Sequence, residues 1–167
     1  MIENAYDKWN QALAEYCLLP NGVRGQASLT VSPHILAAAW AQSERQRLSI
    51  EEAEKNFVTA VRELYRREVA STGLLALNEV GRDGLPRGIA FLGLSVLAAI
   101  AMSHEEDLPA HAYYSRLSDQ LGYGRTQNCP PGFTPADFKL LWRYLRQWLK
   151  KYHNLALTWP ARERGVG

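Results

Sequence analysis

The stretch "SHEEDLPAH" gathers the side chains best suited to hold a metal ion: His104, Glu105, Glu106, Asp107 and His111. Imidazole and carboxylate donors suit a divalent cation. His104, Glu105, Glu106 and His111 are therefore the candidate ligands of a metal-dependent enzyme. A plainer role competes. The stretch reads as a short link between two helices, where acids serve as solvated caps. Asp107 stands before Leu108-Pro109, placed to cap the next helix, and acids near that N-terminus suit its dipole. The capping role is preferred, so the sequence predicts neither a metal nor another cofactor.

A second set lies in "ADFKLLWRYLRQWLKKYH", Ala136 to His153, where Lys139, Arg143, Arg146, Lys150 and Lys151 accompany a single acid, Asp137. On a helical wheel of about 100° per residue, Phe138, Leu141, Trp142, Leu145, Trp148, Leu149 and Tyr152 fall within an arc of about 120°. Lys139, Arg143, Arg146 and Lys150 share a separate arc of about 60°, and Leu140, Tyr144, Gln147 and Lys151 fill the rest. Cations on adjacent turns with no acid between them gain no i,i+4 pairing. Such a row could follow a phosphate backbone, meet an acidic protein surface, or simply face water as the back of a core helix. Both tryptophans point with the leucines, which favours packing in a core over lying on a membrane.

Other chemistry is hard to find. The chain has no GxxxxGK[ST], GxSxG or HExxH, and no GxGxxG after a strand. "GYGRTQNCPPG" contains GxG, but no strand precedes it. Cys17 and Cys129 lie far apart, form no zinc spacing and have no histidine close in sequence. They fit a reducing cytoplasm, as small buried hydrophobes. His34 follows Pro33 in a first helical turn and reads as a surface residue. His153 reads as a helix C-terminal residue. No catalytic residue is assigned.

These sets must be held by a fold, and 167 residues with 47% hydrophobic and 22% charged side chains suffice for one domain with a real core. The net charge of +2 is unevenly spread: residues 1–124 carry 11 Lys/Arg against 15 Asp/Glu, and residues 125–167 carry 8 against 2. The N-terminus lacks the basic and apolar regions of a signal peptide. "IAFLGLSVLAAIAM", Ile89 to Met102, would be about 21 Å long as a helix, too short to span a bilayer. It reads as a central helix buried on nearly all sides.

Around it the periodicity predicts further helices. One runs from Asn4 to Leu18 with Tyr6, Trp9, Leu13 and Tyr16 on one face. Ser32-Pro33 starts the next, which carries Ile35, Leu36, Ala39 and Trp40. Ser49 and Glu52 form a capping box opening a helix that ends near Ser71-Thr72-Gly73. "GLLALNEV" is a short helix or strand, and "GRDGLPRG" a loop. Pro109 starts a helix with Tyr113, Leu117 and Leu121, stopped by Gly122. Thr134-Pro135 opens the basic helix. The expected fold is mainly α: a single bundle of about six or seven helices over residues 1–160, with at most one short hairpin or strand near Ala27–Val31. Residues 161–167 read as the start of a linker to a further part of the chain.

"AFLGLSVLAAIAM", "AHAYYSRLSDQLG" and "LWRYLRQWL", with the earlier "LTVSPHILAAA", resemble the N-terminal helical region of large bacterial proteins that accompany phage-defence genes. The resemblance implies a helical module that docks a partner or helps sense nucleic acid, while chemistry sits elsewhere. The expected function is thus a non-enzymatic interaction or scaffolding domain of a larger bacterial, antiviral-defence protein in the cytoplasm. Its partner would be a protein or another domain of the same chain. The alternatives are a DNA- or RNA-binding domain using Lys139, Arg143, Arg146 and Lys150, and the metal-dependent enzyme. No membrane partner is expected.

Overall fold

A computed structural model of the chain describes residues 4–19, 25–102, 110–124, 129–132 and 134–158. Helix α1, Ala5–Leu13, starts where the Asn4 side chain accepts from the Asp7 N–H. It continues as a π turn, Ala14–Leu18, closed by the Leu19 N–H on the Ala14 carbonyl at 2.9 Å. The wider turn swings the buried face. Tyr6, Trp9 and Leu13 are followed inward by Ala14, Cys17 and Leu18, and Tyr16, expected in the buried row, ends half-buried.

Helix α2, Pro33–Glu44, begins on the Ser32 hydroxyl, which accepts from the Ile35 N–H at 3.3 Å. Helix α3, Ile50–Leu64, begins on the capping box of Ser49 and Glu52, both bonds 3.0 Å long. It runs through a second π turn, Tyr65–Val69, and one last turn, Ala70–Thr72, and stops at Gly73. A 3-10 turn follows at Leu74–Leu77. Helix α4 is Ile89–Met102, with every residue from Ile89 to Ala99 buried. Helix α5 is Ala110–Gln120; Leu117 and Leu121 are buried, and Gly122 beyond them turns the chain with φ 94°. Helix α6, Pro135–His153, starts on Thr134 and ends at Asn154 in the left-handed conformation. The fold is mainly α, with α4 at its centre as the apolar run predicts.

Two aromatic groups tie the helices together. Trp9 of α1 packs 4.5 Å from Trp40 of α2 and 5.3 Å from Phe57 of α3. Phe91 of α4 lies 5.8 Å from Tyr65 and 6.3 Å from Phe138 of α6. Close approach of α1 and α4 depends on Gly93, where a Cβ would stand 2.9 Å from Leu13 Cδ1.

The extended segment is strand β1, Gln26–Ser28, and it has a partner absent from the sequence-based expectation. Strand β2, Ala156–Thr158, pairs with it in parallel, Ala27 opposite Leu157. Both of those side chains are buried, so the pair closes the core where the chain leaves α6. Among the described residues no helix is long and apolar enough to cross a membrane.

Candidate docking surface

Helix α6 forms because its caps and its apolar row agree. The Thr134 hydroxyl accepts from the Asp137 N–H at 3.3 Å, and the Asp137 carboxylate accepts from the Thr134 N–H at 3.1 Å. Lys150, Lys151 and His153 fill the last turn, where positive charge suits the helix dipole. Phe138, Leu141, Trp142, Leu145, Trp148 and Leu149 are buried, which fixes the rotation of the helix. Lys139, Arg143, Arg146 and Lys150 are all exposed on the opposite side. The helix's one acid is engaged in its cap at the far N-terminal end. Lys150 donates to the Asn154 side chain at 3.4 Å, and Lys151 lies 5.2 Å from the centre of the Tyr152 ring.

The wheel misplaces one residue. Tyr152 belongs to the apolar arc by angle, yet it is 61% exposed. Trp148 and Leu149 are the last buried side chains of the helix, and the core is continued past Tyr152 by Leu155 and Leu157 beyond the helix end.

Besides α4, α5 and β2, a turn and a loop border α6. The Leu74–Leu77 turn packs against it. The loop that follows is a tight hairpin: Val80 bridges Pro86, the Gly81 N–H donates to the Leu85 carbonyl at 2.8 Å, and the Arg87 N–H to the Glu79 carbonyl at 2.9 Å. The Arg87 guanidinium joins this loop to α3, 2.9 Å from Glu68 and 3.3 Å from Glu79. Gly88 passes so close to α6 that a Cβ there would be 2.9 Å from Leu141 Cδ1. Burial raises the Tyr144 hydroxyl pKa above the usual phenol value, and nearby Tyr152 and Glu79 add to the effect.

Helix α1 sets the position of that loop. The Asn10 amide donates to the Pro86 carbonyl at 2.8 Å, and its oxygen accepts from the Ala90 N–H at 2.8 Å. The Tyr6 hydroxyl donates to the Arg87 carbonyl and accepts from the Phe91 N–H. Burial holds this hydroxyl well above the usual phenol range, so it stays protonated. Asn10 and Tyr6 thus cap α4 from another helix. Replacing Asn10 with Ala leaves a buried carbonyl and a buried amide without their partner. The expected loss is about 1–3 kcal/mol of stability, measured as a lower urea midpoint at unchanged m-value.

Among the described residues, Leu140 (39%) and Tyr152 (61%) of α6 and Leu75 (45%) of the turn packed against it are exposed. Leu75 carries no periodic signal, so the place of its turn beside α6 is a tertiary fact that the sequence conceals. A cleft of about 600 Å³ lies nearby, between α1 and the loop, lined by Asp7, Asn10, Glu79, Asp83 and Arg87 among others. Its polar groups already serve the fold: Arg87 pairs with Glu79, Asp83 accepts from the Leu85 N–H at 3.0 Å, and Asn10 caps α4.

The other predicted chemistry is not assembled by the described residues. His104, Glu105 and Glu106 lie outside them, as does Asp107, and His111 is described only as backbone in the first turns of α5. Among the described residues no group of three or more His, Cys, Asp or Glu could hold a metal ion. Cys17 is buried, its thiol donating to the Thr30 carbonyl at 3.6 Å, and burial pushes its pKa up to about 12. Such a thiol is a packing group, not a nucleophile, at neutral pH. Burial also raises Cys129. His34 and His153 are exposed. Comparison with family models, curated proteins and solved structures finds no match to this chain.

Proposed function

We propose that this chain is a non-enzymatic interaction domain that docks an acidic protein surface, on another protein or another domain of a longer chain, through the basic row of α6. The observation that carries this reading is the placement of Lys139, Arg143, Arg146 and Lys150 on one exposed face of α6. A row of like charges destabilises an isolated helix by a few tenths of a kcal/mol per pair. An opposing row of carboxylates turns that cost into association rate and specificity. The four cations span about 17 Å of helix, and residues 1–124 are net acidic. A short basic row on an acidic body favours a protein partner over a long phosphate track. Placement in a larger bacterial, cytoplasmic, antiviral-defence protein is part of the proposal, and the four resembling stretches support it.

Nucleic acid is the second reading, favoured by exposed Tyr152 with Lys151 beside its ring, an arrangement on which a base can stack. Fluorescence anisotropy separates the two. A labelled glutamate-rich peptide is expected to bind at low salt and to lose about tenfold in affinity with Arg143→Glu, for a loss of about 1.4 kcal/mol. Duplex and single-stranded DNA are expected to bind weakly. A DNA complex with a log–log salt slope of about −3.6, reduced by about one unit in Arg143→Ala, would replace the protein reading with the nucleic-acid one.

A further inference from the structure

Arg62 and Arg66, one turn apart where α3 passes into its π turn, both reach Gly122 beyond the end of α5. A Cβ on Gly122 would stand 2.6 Å from Arg66 Nη2 and 3.3 Å from Arg62 Nε, so the two guanidinium groups lie side by side over this glycine. Cations suit the C-terminus of a helix, and Arg62 has that role: its Nε and Nη2 donate to the Gln120 carbonyl at 3.0 and 2.8 Å. Arg66 does not share it. The other terminal carbonyls of α5 are already engaged, Leu117 by the Leu121 N–H, Ser118 by the Tyr123 N–H and Asp119 by the Gly122 N–H, each at 3.0 Å. Among the described residues neither guanidinium forms an ion pair. Arg62 is half-buried and Arg66 exposed. Two like charges are thus held together without a counter-charge, and the second of them is not needed as a cap.

We propose that Arg62 and Arg66 form a site for the phosphate group of a monoester, separate from α6 and independent of its docking role. The planar fork of a guanidinium matches two oxygens of such a group. Arg62 is held in place by the carbonyl it caps, which leaves its Nη1 oriented before any ligand arrives. Arg66, on the solvent side, closes over the same anion. A phosphate monoester carries a charge of about −1.5 to −2 at neutral pH, enough to balance both cations and remove their repulsion. A single carboxylate balances only one. Gly122 is the third component, because any side chain there would take the space that Arg66 Nη2 occupies.

Isothermal titration calorimetry with inorganic phosphate at constant ionic strength tests this. One site with a dissociation constant of about 1 mM is expected. Arg66→Gln is expected to weaken it about tenfold with an unchanged circular dichroism spectrum, and Arg66→Lys to weaken it as well, because the fork is lost. Gly122→Ala should act in the same direction by displacing Arg66 while Arg66 itself is retained. Arg47→Gln, which removes an exposed cation elsewhere, should change nothing. Phosphoserine and adenosine monophosphate, titrated in parallel, distinguish a phosphorylated side chain from a nucleotide as the source of the group. Tighter binding of either, lost in Arg66→Gln, supports the site. Absence of saturable phosphate binding, equal binding of acetate, or binding that survives Arg66→Gln overturns it. Loss of phosphate binding in Arg143→Gln but not in Arg66→Gln would move the anion to α6 and overturn it too.

Discussion

Phe91→Ala is expected to lower the unfolding free energy by about 3–5 kcal/mol, a large part of the 5–15 kcal/mol that holds a typical domain. Phe91 is 1% exposed at the middle of the molecule. Its ring stacks on Tyr65, where α3 passes into a π turn, and meets Phe138 edge-on at the start of α6. Truncation removes apolar burial and leaves a void between three helices that are each fixed elsewhere. Helix α4 cannot close the gap, because Gly93 already brings its other side against Leu13. For a chain of this size the melting temperature should fall by about 2–4 °C for each kcal/mol lost. Calorimetry on the wild type and the variant measures it. A change below about 1 kcal/mol would mean the helices repack freely, and α4 would no longer be the hub of the fold.

The same residue links stability to the proposed surface. Phe138 is the first inward side chain of α6, and its contacts with Phe91, Tyr114 and Trp142 fix the helix's rotation. If that rotation slips, the cations move relative to the loop end at Gly88, which abuts Leu141. The proposed surface is rigid only to the degree that this aromatic group is intact.

What could be read from the sequence follows the range of each interaction. The starts of α2, α3 and α6 are legible because capping is local: Ser32, Ser49 and Thr134 each bond an N–H three residues on. Helix α4 is legible because a run without polar relief must be buried. The cationic row was legible as one face, since burial of Phe138, Leu141, Trp142, Leu145, Trp148 and Leu149 determines the other. The π turns at Ala14–Leu18 and Tyr65–Val69 were not legible, because an extra residue per turn is accepted only when packing demands it. Strand β2 is too short to show alternation, and its partner lies more than a hundred residues earlier. Tyr152 was misplaced because a wheel gives direction without saying which segments cover each turn; there Leu155 and Leu157, beyond the helix end, are the buried residues. The place of Leu75 beside α6 comes only from packing that the sequence does not name.

Gly132→Ala is expected to be the most damaging change outside the apolar core, at about 3 kcal/mol or more, because backbone strain of about 1–3 kcal/mol combines with the loss of two hydrogen bonds. Gly132 has φ 101°, a conformation side chains rarely adopt, and a Cβ there would stand 2.5 Å from the Val69 carbonyl oxygen. The obstacle is backbone, with Ala70 Cα at 3.1 Å, so no side chain can turn aside to relieve it. The loop would have to lift from the π turn of α3. That movement breaks the bond from the Leu74 N–H to the Gly132 carbonyl, 2.9 Å long, and the bond from the Tyr65 hydroxyl to the Pro131 carbonyl. It also displaces the residues leading into the Thr134 cap, and with them the start of α6. Gly84→Ala is the control. It has φ 81° but nothing within 4 Å of a Cβ, so it should cost only the backbone term, about 1–2 kcal/mol. Urea unfolding of both variants isolates the difference. Gly132→Ala should also weaken acidic-peptide binding at urea-free conditions, where Gly84→Ala should not, because only the first moves the helix that carries the cations. Equal stability of the two variants would mean the loop yields without resistance and does not hold α6 in place.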